Sequence, residues 1–457
     1  MNVATARKAT RRPPITTVPT YTRLVTANAS STATPPQDWL ALQISWQQPR
    51  PPFSPEALGA PQAGSPDVVE KQCSRYRTLP QPPAGLGNIS ARRPVGAYVT
   101  SSAASSPSAP SAALPALSIL DLVPVVQGGT VASALEDATR LARLAEDSGY
   151  RRLWYAEHHN TDALASSSTA LLIANAAAAT STLRVGSGGI MLPNHAPLAV
   201  AEAFGTLANL YGDRIDLGLG RAPGTDPRTA ALLRRGARED GEAVFASNIR
   251  LLAWFFGDQE DDAESVQLSG GVHAAVARGT GVPLWVLGSS TAGAAIAGQL
   301  GLPFAAASHF APFQLSEAIW TYRQMFNPSA PTAQIAEPYV MAGANLMVAP
   351  TREEAEFLFT THQQMFVAIR RGTRGPLLPP VREMDWAPHE EQMATSALRF
   401  SAVGTPAEAA EFLRGFAASY GVDEVILTGY AHDPAARERS YRLLAEEWAA
   451  SPSHLLS

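Results

Sequence analysis

From about residue 117 onward the chain follows a repeating order. A short apolar run is followed by a turn, then by a longer stretch whose apolar residues recur at helical spacing. The runs predict strands over 117–126, 152–157, 183–192, 215–219, 284–287, 304–308, 340–348 and 424–427. The longer stretches predict helices over 132–148, 168–182, 198–211, 228–235, 239–256, 291–300, 312–326, 352–370, 405–420 and 434–449. Strands that alternate with helices pair in parallel. Eight such units over about 330 residues predict an α/β chain closed as a (β/α)8 TIM barrel. The structural alternative is a doubly wound open sheet, which takes its nucleotide at a Gly-rich first turn. Here that turn reads Val126-Gln127-Gly128-Gly129-Thr130 and has no Gly-x-Gly-x-x-Gly spacing.

Residues 1–116 break the pattern. Runs such as Pro49-Arg50-Pro51-Pro52, and the Ser/Ala/Pro stretch 101–115, bury too little apolar area to offset chain entropy. The reading is a long disordered N-terminal extension (1–116) ahead of one barrel domain (117–457). The extension is basic, with 11 Lys+Arg against 4 Asp+Glu in residues 1–115, and it loosely resembles an organelle transit peptide. An unstructured tail or a misassigned start is the plainer account. With a net charge of -5 overall, the barrel segment is acidic, which excludes nucleic acid as its main partner. Lysine occurs only at Lys8 and Lys71, so a P-loop is excluded as well. The single cysteine, Cys73, leaves no internal disulfide and makes a thiol nucleophile or zinc site improbable; no metal is expected. No membrane span and no secretory h-region are visible, so a cytoplasmic protein is expected.

In such barrels the chemistry sits where strands end. The second strand ends in Glu157-His158-His159-Asn160, and histidine there suits general acid–base work. A structural histidine pair is the equal alternative. The third strand ends in Gly186-Ser187-Gly188-Gly189, which permits close approach of a flat ligand or simply a bulge. After the fourth strand, Gly220-Arg221 offers a guanidinium for a phosphate, or for a rim salt bridge. After the fifth, Gly288-Ser289-Ser290 runs straight into a helix, as an anion site or an ordinary cap. His309 after the sixth strand and Asp121 of the first are expected to face the same mouth, as substrate-pocket candidates, unless they are merely packed or rim residues.

Taken together, these segments resemble the bacterial-luciferase-like flavin monooxygenases, in particular the non-luminescent single-gene subgroup. The resemblance rests on 120–125, 154–160, 184–195, 214–221, 287–290 and 301–305, in family order. It implies reduced FMN supplied by a separate flavin reductase, with dioxygen and a small organic substrate that is aldehyde-like or a soft nucleophile, and a homodimer. It matches His158, with Glu157 and His159, to the catalytic set. It matches Gly188 and Gly189 to backbone beside the flavin ring, where a cis peptide is common. It matches Gly220, Arg221, Gly288, Ser289, Ser290 and Gly293 to the cofactor cradle. The family's cysteine near the flavin is matched by Gly220, and the Lys-containing loop of the luciferases has no counterpart, so light emission is not expected. A deazaflavin-dependent dehydrogenase on the same barrel and a flavin-binding protein without turnover are the rival readings.

Overall fold

The computed structural model describes residues 114–234, 241–258, 267, 269–373 and 375–450. Most of the extension expected at 1–116 therefore lies outside the described residues. The elements run β1 (Ala116–Asp121), α1 (Val131–Asp147), β2 (Arg152–Tyr155), α2 (Thr169–Ala179), β3 (Arg184–Met191), α3 (Pro197–Tyr211), β4 (Ile215–Gly220), α4 (Pro227–Arg234), α5 (Glu242–Phe256) and β5 (Leu284–Gly288). They continue with α6 (Thr291–Gln299), β6 (Phe304–Ala306), α7 (Leu315–Met325), β7 (Val340–Val348), α8 (Arg352–Arg370), α9 (Pro388–Ala397), β8 (Ser401–Gly404), α10 (Pro406–Tyr420), β9 (Glu424–Thr428) and α11 (Pro434–Ala450).

Strands β1 to β7 and β9 close a parallel barrel, because β6 pairs β7, β7 pairs β9 and β9 pairs β1. The short β8 is attached outside the cylinder along Asn345–Val348 of β7. Alternation along each strand divides the apolar residues into two sets. Residues such as Ile119, Leu153, Val185, Leu217 and Val286 pack outward under the helices. Leu120, Trp154, Trp285, Ala305, Met341 and Ile426 form a separate cluster that fills the lumen. Trp154 meets Trp285 edge-on at 5.1 Å, and Trp285 meets Tyr339 at 5.6 Å.

Beneath these rings the N-terminal ends of the strands carry a buried ionic floor. Arg152 bonds Asp216 (2.7 Å) and Glu424 (2.7 and 3.1 Å), Arg184 bonds Asp216 (2.6 and 3.1 Å), and Tyr339 and Ser118 donate to Glu424. Each charge is multiply bonded, as burial requires.

Several elements differ from the sequence expectation, and four differences bear on the fold. β1 stops at Asp121 instead of running to 126: Val123 adopts φ 50°, and Pro124 and Val126 make only isolated bridges. β6 stops at Ala306, where Ser308 turns back to bond the Ala306 carbonyl. The sequence reading has neither β8, which is four residues long and ends in glycine, nor α9, whose apolar residues are sparse.

Candidate active site at the barrel mouth

Parallel register puts the C-terminal strand ends on one rim. Tyr155 lies opposite Ser187, Met191 opposite Gly220, and Gly220 opposite Leu287. The Glu157–Asn160 loop, the Gly188–Gly189 stretch of β3, Arg221 after β4 and Gly288–Ser290 at the end of β5 are therefore neighbours in the order the chain supplies them.

Glu157 is buried, and its carboxylate is the organising centre of this side of the rim. It accepts from the Met191 amide (2.9 Å) and contacts Nε2 of His195 (2.9 and 3.0 Å), Nε2 of His159 (2.9 Å) and, longer, Asn194 Nδ2 (3.4 Å). Burial would raise its pKa. The hydrogen bond and charge of His195, the bond to His159 and the Met191 amide together hold it below the ordinary carboxylate value. Glu157 and His159 thus satisfy one another, and His195 and Asn194 join them. Neither His195 nor Asn194 stands among the sequence-stated site residues, although both close the third-strand segment that carried the resemblance.

His158 stands apart from that cluster. Its Nδ1 lies 3.3 Å from the Gly224 carbonyl, which can only accept, so Nδ1 carries the proton and Nε2 the lone pair. Burial lowers its pKa and keeps it neutral. Across the mouth, His309 rests on β7: a Cβ at Gly343 would sit 2.3 Å from its Nδ1. Burial, and then the repulsion that a protonated His158 would exert, lowers its pKa to about 4. His362 of α8, which sequence reasoning missed, is buried against Tyr430 (4.6 Å) and Phe359 (5.2 Å), with a pKa lowered by burial and by His309 to about 3.

Asp121 does not join this group, contrary to the expectation that it faces the mouth. Leu120 and Leu122 take the lumen side of β1, so by alternation Asp121 turns outward. There it accepts from Arg437 of α11 and from the Val123 amide (2.8 Å).

Gly188-Gly189 is a cis peptide, and the β3–β4 register shifts across it. A Cβ at Gly188 would lie 2.6 Å from Leu120, and one at Gly218 would lie 2.1 Å from the Ser187 carbonyl, so this part of the wall admits no side chain. At Gly220 a Cβ would meet Met191 Sδ at 2.8 Å. Ser290 is the N-cap of α6 but makes no side-chain capping bond, and Ser289 is exposed. The first-turn amides of α6 therefore keep no intrahelical or capping partner. Gly288 and Gly293 let strand and helix approach closely, each Cβ position being 3.4 Å from the other's Cα. Arg221, on the adjoining loop, bonds Glu242 (2.8 Å), whose side chain is more than half exposed.

The luciferase-like monooxygenase family matches residues 118–424. Over 326 residues the chain is 45% identical to the luciferase-like monooxygenase of Escherichia coli (strain K12), covering 71% of this chain and 94% of that protein. It is 29% identical over 329 residues to the N-acetyl-S-alkylcysteine monooxygenase of Bacillus subtilis (strain 168), covering 72% and 96%. Among solved structures, apo-MsnO8 superposes with a TM-score of 0.64 at 32% identity, covering 74% of this chain and 99% of that one. Two more distant structures share the fold alone. One is the oxygenating constituent of 3,6-diketocamphane monooxygenase of Pseudomonas putida in complex with FMN (TM-score 0.54, 16% identity, 74% and 98% covered). The other is an F420-dependent secondary alcohol dehydrogenase (TM-score 0.51, 14% identity, 73% and 98% covered). With the fold, the rim and these matches in place, the chain belongs to the luciferase-like monooxygenase family.

Proposed function

We propose that the protein is a flavin-dependent monooxygenase that uses reduced FMN and dioxygen to oxidise a small organic substrate. The observation that carries the reading is the pairing on adjacent loops of the uncapped α6 N-terminus with Arg221, beside a stretch of β3 wall with no room for side chains. Backbone amides at a helix start, the helix dipole and a guanidinium are a fit for a phosphate dianion. The Glu242 carboxylate that Arg221 bonds is more than half exposed, so water screens it and re-solvates it readily if a phosphate takes its place. Arg221, Ser289, Ser290 and the α6 amides would hold the phosphate, and Gly188-Gly189 and Gly220 would lie along the ring.

When bound, reduced FMN supplies the electrons that activate dioxygen. The chain's own residues do the rest. The lone pair of His158 Nε2 takes or returns a proton at the reacting oxygen. Glu157, fixed by His195, His159 and Met191, acts as a positioning residue for the loop that carries His158. The apolar lining from Leu122, Ala156, Leu377 and Tyr430 excludes water. The reductant arrives from a separate flavin reductase, in keeping with the lack of a dinucleotide motif in the sequence, and the working unit is a homodimer.

The test is oxygen uptake by the purified chain with FMN reduced in situ, together with FMN and deazaflavin titrations. FMN binding with substrate-dependent oxygen uptake is the expected result. His158→Ala keeps FMN binding and loses most turnover. Retention of a deazaflavin in preference to FMN, with hydride transfer and no oxygen uptake, refutes the assignment.

A further inference from the structure

Gly220 and Gly224 leave the wall after β4 bare, and one side chain from the neighbouring strand covers it. Met191 is the last residue of β3 and pairs with Gly220 across the register. Its amide is held by the Glu157 carboxylate at 2.9 Å. Its thioether lies over both glycines. A Cβ at Gly220 would meet Sδ at 2.8 Å and Cε at 3.3 Å, and one at Gly224 would meet Cγ at 2.9 Å and Sδ at 3.6 Å. Gly224 also supplies the carbonyl that bonds His158. The sulfur therefore sits between the ring-side glycine of the cradle and the turn that orients His158. Met341 and Met347 are fully buried, whereas Met191 is partly exposed to solvent. Proton transfer at His158 does not use this sulfur, yet a thioether is soft and readily takes up one oxygen atom.

We propose that Met191 is a modification site, oxidised to its sulfoxide by hydrogen peroxide formed at the mouth when substrate is absent, and that this oxidation loosens FMN. The proposal rests on the reading of the mouth as the place where reduced FMN meets dioxygen. Without substrate, that encounter yields FMN and hydrogen peroxide. A lone pair of the Met191 sulfur attacks one peroxide oxygen. The S–O bond forms as the O–O bond breaks, and sulfur gives up two electrons. The departing hydroxide takes the proton of the transferred oxygen and leaves as water. The product carries a polar oxygen on a sulfur that already touches Gly220, so the oxygen displaces the glycine wall or swings the side chain off it. Either change disturbs the surface along the ring. Idle consumption of reductant would in this way switch the protein off, and sulfoxide reductases would restore it.

The test uses the full chain in excess over FMN, reduced in situ by a flavin reductase and NADH in air, with catalase present and no substrate. Catalase destroys peroxide that escapes, so oxidation that persists is local. Mass spectrometry of tryptic peptides should show Met191 gaining one oxygen ahead of Met325, which is 40% exposed at the end of α7, and of Met365, which packs on the lumen cluster. Added hydrogen peroxide without flavin should instead oxidise Met325 first. FMN affinity of the oxidised chain should fall at least about 5-fold, the lower end of the cost of forcing an extra atom into a packed contact. Treatment with the two epimer-specific sulfoxide reductases should restore it. Met191→Leu, which keeps the bulk and lacks the sulfur, should keep its own FMN affinity through the same treatment. Met191 oxidised no faster than Met325 or Met365, unchanged affinity of the oxidised wild type, or an equal loss in Met191→Leu overturns the proposal. FMN titration of the fresh chain separates the failures. No binding refutes the cofactor reading and the modification with it, while binding with Met191 left intact refutes the modification alone.

Discussion

Acidification should weaken this fold from about pH 6.5 downward, and His362 should account for a definable part of the loss. Its side chain is 4% exposed and its pKa is lowered by burial and by His309 to about 3. Unfolded, it takes a proton near the ordinary histidine value of 6.5; folded, it stays neutral. Between those two values the unfolded state binds the extra proton, so stability is full above pH 6.5 and falls as pH drops toward 3. Each pH unit in that window costs about 1.4 kcal/mol per group, so about 2 kcal/mol is lost to His362 between pH 6.5 and 5. His309, with its pKa lowered to about 4, loses a similar amount over the same interval. The assay is urea unfolding followed by tryptophan fluorescence near pH 7.5, 6 and 5, on wild type and His362→Phe. The variant lacks the titrating ring, so its stability should fall less steeply, by about 2 kcal/mol over that range. Parallel losses in the two proteins would refute the claim that His362 is held neutral by the fold.

Other outcomes follow from the same contacts. Arg152→Ala leaves Asp216 and Glu424 buried without their shared cation, and urea unfolding should show a loss of about 3–5 kcal/mol. Gly218→Ala places a Cβ 2.1 Å from the Ser187 carbonyl, where only backbone movement gives relief. It should cost on the order of 1–3 kcal/mol in the same assay and disturb FMN binding along the β3 wall. Arg221→Ala should weaken FMN binding by about 1.5–3 kcal/mol in a fluorescence titration, the worth of a charge-assisted hydrogen bond. Unaltered affinity would remove Arg221 from the cradle.

The barrel was legible because its evidence is local. Each strand is a short apolar run with a helix behind it, and the repeat is counted without knowing any long-range contact. What failed was either too short to carry a period, as with β8 and α9, or decided at a distance. The ionic floor joins Arg152, Asp216 and Glu424, which are scattered along the chain, and nothing local marks them as partners. Asp121 was placed on the wrong side because its side chain follows the strand alternation, and its partner Arg437 lies 316 residues away. At the site, strand ends drew attention to His158, His309 and Arg221. His362 sits within a helix, where one histidine in an amphipathic stretch carries no signal. His195 lay inside a segment quoted for other reasons, and only the Glu157 carboxylate reveals its role.

The aromatic stack and the charged floor beneath it close the cylinder from below. Among the described residues that end of the barrel is shut, which leaves the rim at the C-terminal strand ends as the side from which it is approached. Substitutions in the floor should alter how firmly the vessel holds together, while the loops above it can vary without loosening that base.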